Sequence, residues 1–236
     1  MRFCRQNKRA TLDKDPTDMM GMFSVIAPRY DLINDVVSLC QDRHWRADLV
    51  DALSPLRGEL ILDLAAGTGA SSHPIVRSGA TVVATDLTEA MVVIGKRRHP
   101  QQIFVVGDGL RLPYGDQVFD AATISFGLRN VADPAVVLSE LMRVVRPGGT
   151  LVICEFSTPT SPVMRFLHRQ WMTKALPLLS KIVSNNAPAY SYLNDSILAW
   201  PDQRGLAAMM EAAGWEEIQW RNLTGGIVTL HRATRP

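Results

Sequence analysis

Two aspartates at the ends of apolar runs are the residues of this 236-residue chain best placed to do chemistry. Asp63 closes a run that begins at residue 59, and a turn containing Gly67 and Gly69 follows at once. Glycine has no Cβ, so such a turn lets a ligand approach the backbone closely. Asp86 ends the next apolar run, where a carboxylate can accept hydrogen bonds from both hydroxyl groups of a ribose. The loop and the second acid together predict a site for a nucleoside-bearing cofactor.

The spacing of this loop separates the classes of nucleoside cofactor. A dinucleotide site favours a third small residue where this chain has Ser72, and the sequence contains no G-x-x-x-x-G-K-[ST] phosphate loop. A carboxylate at Asp63 would repel a pyrophosphate, whereas it suits a cofactor with an amino group and a sulfonium. The pattern Asp63-x-Ala65-x-Gly67-x-Gly69 resembles the acid-x-Gly-x-Gly-x-Gly motif of S-adenosylmethionine-dependent methyltransferases, with Ala65 replacing the first glycine. A nicotinamide oxidoreductase with a variant turn and a non-catalytic binding module remain alternatives.

The elements that position these residues alternate along the chain. Apolar runs predict seven strands, at residues 59–64, 80–85, 102–106, 118–125, 149–156, 216–221 and 226–231. Helical patterns occur near residues 71–78, 88–98, 134–146 and 202–213. Strands that alternate with helices form a parallel, doubly wound α/β sheet with right-handed crossovers. The short turn around Gly225 predicts that the last two strands form an antiparallel hairpin at one edge.

Three segments lie outside this alternation. Residues 1–17 are predicted as a basic, flexible tail, because no apolar run of signal-peptide length follows Arg2, Arg5, Lys8 and Arg9. Residues 18–236 are predicted as one domain that begins with a helical segment over 18–54. Residues 159–200 form an insertion with apolar side chains at helical spacing: Val163, Phe166, Leu167, Trp171, Leu178, Leu179 and Ile182. This pattern is typical of a lid, of a membrane-surface helix, or of a helix packed on its own domain.

Composition and charge exclude several classes of function. The net charge is +2, and no basic stripe with interleaved aromatic residues occurs, so no nucleic-acid partner is predicted. The three cysteines are widely spaced and are not arranged as metal ligands, which predicts no metal site and a reducing, cytoplasmic location. No run of 18 apolar residues occurs, so the sequence predicts no transmembrane helix.

The most specific string in the chain is Thr-Ile-Ser-Phe-Gly-Leu-Arg-Asn-Val at residues 123–131. It resembles the signature of the ubiquinone/menaquinone biosynthesis C-methyltransferase family. Further similar motifs run in order from about residue 18 to residue 232, among them Phe23-Ser-x-x-Ala-x-x-Tyr30-Asp31, Gln41-Asp-Arg-His-Trp45-Arg, Arg146-Pro-Gly-Gly149, Glu155-Phe-Ser157, Tyr190-x-Tyr192-Leu and Leu230-His231-Arg232. The whole pattern is most similar to demethylmenaquinone methyltransferases of the actinobacterial type.

The resemblance implies a Rossmann-like methyltransferase fold and S-adenosyl-L-methionine as the cofactor. The predicted cofactor-binding residues are Asp63, Ala65, Gly67, Thr68, Gly69, Asp86, Asp108, Gly109 and Ser125. Asp86 takes the ribose position, and Asp108 and Gly109 flank the adenine. Ala70 stands where many members carry an aspartate, so we expect a somewhat altered loop that still binds the cofactor.

The reaction that the resemblance implies is methylation of a ring carbon of a quinol. Loss of a phenolic proton makes the neighbouring carbon nucleophilic, so the enzyme must orient the ring and stabilise the phenolate oxygen. Arg129 is predicted to hold that oxygen, with a structural salt bridge as the alternative, and Asn130 is predicted to hydrogen-bond the substrate or cofactor. Tyr30 and His231 are candidates for the base, and His231 has a purely structural role as its alternative.

The predicted substrate is a polyprenyl naphthoquinol, demethylmenaquinol, which is converted to menaquinol. A ubiquinone-type benzoquinol and another small apolar molecule are the alternatives. A long isoprenoid tail is nearly insoluble in water, so we expect residues 159–200 and 18–54 to cover the substrate beside the cofactor. A peripheral contact with the inner face of the membrane and a homo-oligomer are further hypotheses.

Overall fold

One sheet of seven strands organises the residues that the computed structural model describes, 12–175 and 187–236. The strands are β1 (Leu60–Leu64), β2 (Thr81–Asp86), β3 (Ile103–Val106), β4 (Phe119–Ser125), β5 (Val145–Phe156), β6 (Glu216–Leu223) and β7 (Val228–Thr234). Their order across the sheet is β3-β2-β1-β4-β5-β7-β6. The first five strands pair in parallel, and β7 lies antiparallel between β5 and β6. The predicted doubly wound α/β sheet with its antiparallel hairpin is confirmed.

Helices cover both faces of the sheet. They are α1 (Pro16–Ile26), α2 (Tyr30–Val37), α3 (Gln41–Leu53), α4 (Ser72–Val76), α5 (Glu89–Arg98), α6 (Pro134–Val144), α7 (Pro162–Gln170), α8 (Ala187–Leu198) and α9 (Gln203–Ala212). Sequence signals explain the ends of two of them. The Asp133 side chain accepts hydrogen bonds from the first turn of α6, and the Asp202 side chain accepts one from the Gly205 amide of α9. After α9, Gly214 adopts a φ of 94°, which favours glycine.

The boundary between α6 and β5 differs from the sequence expectation. The helix predicted over 134–146 ends at Val144, and the strand predicted from residue 149 already begins at Val145. Val145 pairs with Phe119, and the register with β4 then shifts before Thr150 pairs with Ala121. Pro147 and Gly148, whose residue types usually end a helix, here lie within the irregular first part of a strand.

Two hydrophobic cores lie on opposite faces of the sheet because side chains alternate along each strand. In β1, Leu62 belongs to the core beneath α6 and α9, whereas Ile61 belongs to the core beneath α3 and α4. Both side chains are fully buried. A strand with both faces buried reads as a continuous apolar run, and this is why β1 stands out in the sequence and why Asp63 inside it is conspicuous.

The N-terminal segment and the insertion are described only in part. Arg2, Arg5, Lys8 and Arg9 of the predicted tail lie outside the described residues, and so do Leu178, Leu179 and Ile182 of the insertion. The helical segment predicted over 18–54 consists of α1, α2 and α3, and α1 already begins at Pro16, with the Asp15 side chain as its cap. The insertion contains α7, a turn of π-helix over Trp171–Ala175, and α8. In the described ranges, no helix is long and apolar enough to cross a membrane.

Candidate functional site

The loop between β1 and α4 turns through residues with left-handed backbone conformations. Ala65, Gly67 and Gly69 have φ values of 54°, 57° and 85°. Alanine adopts this conformation at a cost that glycine avoids, so Ala65 occupies a position whose backbone favours the glycine of the motif. Gly69 has a second reason to be glycine, because an added Cβ would lie 2.7 Å from the Phe104 ring. The loop is therefore tightly built, with one strained residue.

A cavity opens beside this loop at the carboxyl ends of β1, β2 and β4, and we call it the loop cavity. Its lining includes five predicted cofactor residues, Ala65, Gly67, Asp86, Asp108 and Gly109. Two of the predicted catalytic residues, Tyr30 and Asn130, line it as well. Ligands of open α/β sheets bind at this edge of the sheet, so the cavity lies where the sequence places the cofactor.

Asp86 is fixed at the tip of β2 by two backbone hydrogen bonds. Its carboxylate accepts from the Gly67 amide at 2.8 Å and from the Thr88 amide at 2.8 Å. Burial raises the pKa of Asp86, and the two backbone hydrogen bonds oppose that rise. A carboxylate has about four acceptor positions, so this group retains capacity for the two hydroxyls of a ribose.

Asp63 is a fully buried carboxylate beneath the loop. The Ser72 hydroxyl donates to its Oδ2, while Oδ1 has no hydrogen-bond partner among the residues described. Burial is the main cause that raises the pKa of Asp63 to about 7. A buried acceptor without a partner is destabilising, and a positively charged amino group would satisfy it. The donor set of Asp63 and Asp86 thus fits S-adenosylmethionine and does not fit a pyrophosphate.

Four predicted cofactor residues are not among those that line the loop cavity: Asp63, which lies beneath the loop, and Thr68, Gly69 and Ser125, which contact other protein groups. The Thr68 hydroxyl donates to Asp31 at 2.8 Å. The Ser125 hydroxyl lies 2.6 Å from the Ser71 hydroxyl, and Gly69 packs against Phe104. Their assignment to the cofactor stays a prediction, and the contacts join the loop to its neighbours.

Arg129 is buried and ion-paired. Its Nη1 donates to the Phe126 carbonyl oxygen at 2.6 Å and to Glu155 Oε1 at 2.8 Å, and the guanidinium lies 5.0 Å from the centre of the Phe156 ring. The salt bridge that the sequence offered as an alternative is therefore present. Arg129 Nε makes no hydrogen bond in the described part of the chain, so the side chain keeps one buried donor. Sequence reasoning missed Glu155 as the partner, although a carboxylate inside an apolar strand was a usable signal.

A second cavity, which we call the middle cavity, lies between α2 and the turn that carries Arg129. Its lining includes Phe23, Tyr30, Asn34, Arg129, Asn130 and Tyr192. Phe23, Tyr30 and Asn130 also line the loop cavity, so the two spaces adjoin. The structure thus brings together three of the four predicted catalytic residues.

The two tyrosines of the middle cavity are hydrogen-bond donors at neutral pH. The Tyr192 hydroxyl donates to Asn130 Oδ1 at 3.1 Å. Burial raises the pKa of Tyr192 to about 12, and burial also raises the pKa of Tyr30. A tyrosine that keeps its proton can donate to a substrate oxygen but is a poor base. Sequence analysis quoted Tyr192 within a motif and gave it no role, since α8 lies far from Asn130 along the chain.

His231 is not brought together with the other predicted catalytic residues. It lies in the middle of β7, opposite Ile153 and Trp220, and is almost fully buried. Its Nε2 lies 2.8 Å from the Gln203 carbonyl oxygen. Burial lowers the pKa of this imidazole, which favours its neutral form. His231 does not line the loop cavity or the middle cavity, and this geometry favours the structural alternative.

A third cavity of about 620 Å³, the apolar cavity, lies beyond the middle cavity. Its lining includes Val37, Trp45, Phe156, Leu167, Trp171 and Ile197. Leu193 lines both the apolar cavity and the middle cavity, so these two spaces meet there. Phe166, on the other hand, is exposed and is not among the lining residues. The three cavities therefore follow one another from the acids of the glycine loop to an apolar end.

Comparison with known proteins gives consistent matches over nearly the whole chain. The model of the ubiE/COQ5 methyltransferase family matches residues 11–235. A demethylmenaquinone methyltransferase of Streptomyces griseus is 51% identical over 227 residues, which are 96% of this chain and 99% of that protein. One of Beutenbergia cavernae is 54% identical over 227 residues, which are 96% of this chain and 95% of that protein.

Solved structures share the fold at low sequence identity. An S-adenosylmethionine-dependent methyltransferase from Thermotoga maritima has a TM-score of 0.66 and 19% identity, over 92% of this chain and 100% of that one. The [4+2]-cyclase SpnF has a TM-score of 0.67 and 16% identity, over 91% of this chain and 94% of that one. The predicted Rossmann-like methyltransferase fold is confirmed.

Proposed function

This chain belongs to the ubiE/COQ5 methyltransferase family, and on that premise we propose that it methylates a ring carbon of a prenylated naphthoquinol, converting demethylmenaquinol to menaquinol. The family and S-adenosylmethionine as its cofactor were expected from the sequence, and both are confirmed. The observation that best supports this choice of substrate is the series of three cavities, which offers adjoining places for a cofactor, a polar ring and an apolar tail.

The loop cavity is the proposed cofactor site. Asp86 would accept hydrogen bonds from the ribose hydroxyls, and Asp108 and Gly109 would flank the adenine. Asp63 would accept a hydrogen bond from the amino group with the oxygen that lacks a partner among the described residues. When bound, the cofactor supplies an electrophilic methyl group carried by a sulfonium.

The middle cavity is the proposed site of the quinol ring. Asn130 lines both this cavity and the loop cavity, so a ring beside Asn130 would lie next to the cofactor. The hydroxyl of Tyr30 would donate to a quinol oxygen, and Arg129 Nε would donate to the same oxygen or to a water beside it. The Tyr192 hydroxyl donates its proton to Asn130 Oδ1 and would thereby orient the Asn130 amide. The donors of Tyr30 and Arg129 stabilise the negative charge that appears when the phenolic proton passes to water. His231 is left out of this mechanism because it lies in the core of β7.

The apolar cavity is the proposed site of the prenyl tail. Trp171 and Met172 of the insertion and Val37 of α2 contribute to its lining, and this wall supports the predicted lid. Leu39 and Leu167 line the cavity and are also exposed, which places them at its mouth, where Lys174 is a further lining residue. An apolar rim with a cation suits a peripheral contact with an anionic membrane surface, from which the tail would enter.

One incubation tests this function. The protein is mixed with S-adenosylmethionine that carries a labelled methyl group and, separately, with demethylmenaquinol and a ubiquinone-type benzoquinol that lacks its ring methyl group. We expect the label on a ring carbon of the naphthoquinol. Label on the benzoquinol alone would mean that the substrate is a benzoquinol and not a naphthoquinol. Label on an oxygen atom would mean that the reaction is O-methylation, and no label on either quinol would refute the proposal. The domain limits, a homo-oligomer and a cytoplasmic location stay predictions.

A further inference from the structure

A guanidinium from α3 reaches the same edge of the sheet as the glycine loop. Arg46 Nη1 donates to the hydroxyl of Ser71, which directly precedes α4. The Ser71 hydroxyl in turn lies 2.6 Å from that of Ser125, the last residue of β4. Arg46 is therefore located between the ends of β1 and β4, and only 13% of its side chain is exposed.

The charge of Arg46 is only partly compensated by the residues described. Its Nε lies 3.6 Å from Asp42 Oδ2 and makes no hydrogen bond within the described residues. The other oxygen of Asp42 accepts a hydrogen bond from Ser38 at 3.0 Å. Burial of a guanidinium is costly unless an anion with good geometry faces it, and a fork of donors suits a carboxylate. Arg46 thus has a donor available for an anion, and binding an anion would offset the cost of burying its charge.

A complementary group lies next to it. Ser71 contacts Arg46, and the adjacent Ser72 contacts Asp63, whose Oδ1 lacks a partner in the part of the chain described. Arg46 is also one of the charges that lower the pKa of Asp63 and of Tyr30, so the three side chains share one electrostatic environment. A cation and an anion with unsatisfied capacity, each bonded to one of two consecutive serines, fit the carboxylate and the ammonium of an α-amino acid.

The sheet order indicates which end of the cofactor lies there. In the order β3-β2-β1-β4, Asp86 marks the tip of β2 and Asp108 follows β3. With the ribose and adenine on that side, the remaining part of the cofactor must extend across β1 towards β4. The Tyr30 ring lies along this path, because a Cβ added at Gly67 would lie 3.6 Å from its Cε1.

We propose that Arg46 binds the carboxylate of the methionine part of S-adenosylmethionine, while Asp63 binds its ammonium. Arg46 is then a specificity-determining residue that separates the complete cofactor from fragments without the carboxylate. This inference rests on the proposed cofactor site and adds a residue that comes from the N-terminal helical segment.

The test is calorimetric binding of three ligands, S-adenosylmethionine, decarboxylated S-adenosylmethionine and 5′-methylthioadenosine. Arg46→Gln should weaken binding of the complete cofactor by about tenfold or more and should change binding of the other two by less than about threefold. Arg46→Lys should lie between, because lysine keeps the charge and loses the fork. Arg43→Gln is the matched control from the same helix, where Arg43 is exposed and pairs with Asp35, and it should change none of the three affinities.

Several outcomes would overturn the inference. Equal weakening of all three ligands by Arg46→Gln would mean that Arg46 only supports the loop. Equal affinity of the unaltered protein for the complete and the decarboxylated cofactor would contradict it even if the variants fail to fold. Either result would contradict only the role of Arg46 and not the proposed methyl transfer to a quinol. If the unaltered protein did not bind S-adenosylmethionine at all, the proposed function would be contradicted as well.

Discussion

At the scale of single residues, the site contains buried polar groups whose capacity is not satisfied by the described residues of the protein. Asp63 Oδ1, Arg46 Nε and Arg129 Nε share this property, and all three lie around the carboxyl edge of β1 and β4. Buried polar atoms are normally hydrogen-bonded, so such a concentration is costly for the unliganded fold. We infer that these donors and acceptors form hydrogen bonds with bound ligands.

We expect Asp63 to make cofactor binding depend on pH. Its pKa is raised to about 7 by burial, well above the value of an unfolded chain, about 3.9. Between these values the folded protein keeps a proton that the unfolded chain has lost, so this group's contribution to stability falls as pH rises through that window and is constant above about 7. A cationic amino group favours the ionised carboxylate. We therefore expect affinity for S-adenosylmethionine to increase from about pH 5.5 to about pH 7.5.

Calorimetry at several pH values checks this expectation. Binding near pH 6 should release a proton, which is seen as a dependence of the measured heat on the ionisation enthalpy of the buffer. Asp63→Asn should bind more weakly and with a flat pH profile. A profile for Asp63→Asn that retains the rise of the unaltered protein would show that another group causes it.

Arg129 can be tested against its structural alternative. If its Nε stabilises a quinol oxygen, Arg129→Lys should lower kcat by about a hundredfold, as loss of an oxyanion donor does, with little change in cofactor affinity. Glu155→Gln removes the charge of its partner and leaves the guanidinium in place. This variant should lose stability, by up to about 3–5 kcal/mol, with a smaller loss of kcat. Turnover that falls in proportion to stability in both variants would favour the salt bridge as the whole role.

At the scale of elements, two loops at the sheet edge fit together through one pair of residues. Ala65 follows β1 with a φ of 54°, and a Cβ added at Gly127, after β4, would lie 2.4 Å from the Ala65 Cβ. Gly127 itself has an ordinary φ of −111°, so space and not conformation requires glycine there. The methyl group of Ala65, which stands where the family motif has glycine, thus constrains the loop beyond β4.

A double-mutant cycle measures this coupling. Gly127→Ala should lower the free energy of unfolding by about 1–3 kcal/mol through overpacking. In a protein that already carries Ala65→Gly, the same change should cost clearly less, because the obstructing methyl group is gone. Ala66→Gly is the neighbouring control and should give no such relief. Additive losses in chemical denaturation would contradict the contact.

How far sequence predicts such a site depends on whether its residues lie near one another along the chain. The sequence predicts the place of Asp63, Gly67 and Asp86, because these residues lie at or just after strand ends and the carboxyl ends of parallel strands share one edge of the sheet. Arg46 belongs to a motif that the sequence displays, but only the packing of α3 on the sheet brings it to Ser71. For His231 the converse holds. Its place near a strand end suggested a site, whereas the register puts it opposite Ile153 inside the core.

At the scale of the whole molecule, the fold alone does not name the reaction. The [4+2]-cyclase SpnF shares this fold with a TM-score of 0.67, as does a methyltransferase from Thermotoga maritima with a TM-score of 0.66. The N-terminal helices and the insertion form a cover over the carboxyl edge of the sheet. Beneath this cover lie the middle cavity, with polar residues in its lining, and the apolar cavity.

The apolar cavity predicts that recognition of the prenyl tail can be separated from recognition of the quinol ring. Trp171→Asp places a charge in the apolar cavity and should raise KM for a prenylated naphthoquinol by about tenfold or more, with little effect on a tail-less one. Phe166→Asp is the matched variant on the exposed face of the same segment. In detergent solution it should leave both KM values unchanged, and with vesicle-borne substrate it should slow turnover if α7 contacts the membrane. Equal effects of Trp171→Asp on both quinols would contradict a tail site.

The most direct measurement is a crystal structure with S-adenosylhomocysteine and a short-chain demethylmenaquinone bound together. We expect the ribose on Asp86, the quinone ring in the middle cavity beside Tyr30 and Asn130, and the prenyl chain running past Leu193 towards Trp171. A ring bound elsewhere, or a chain that leaves the middle cavity away from Trp171, would contradict this expectation.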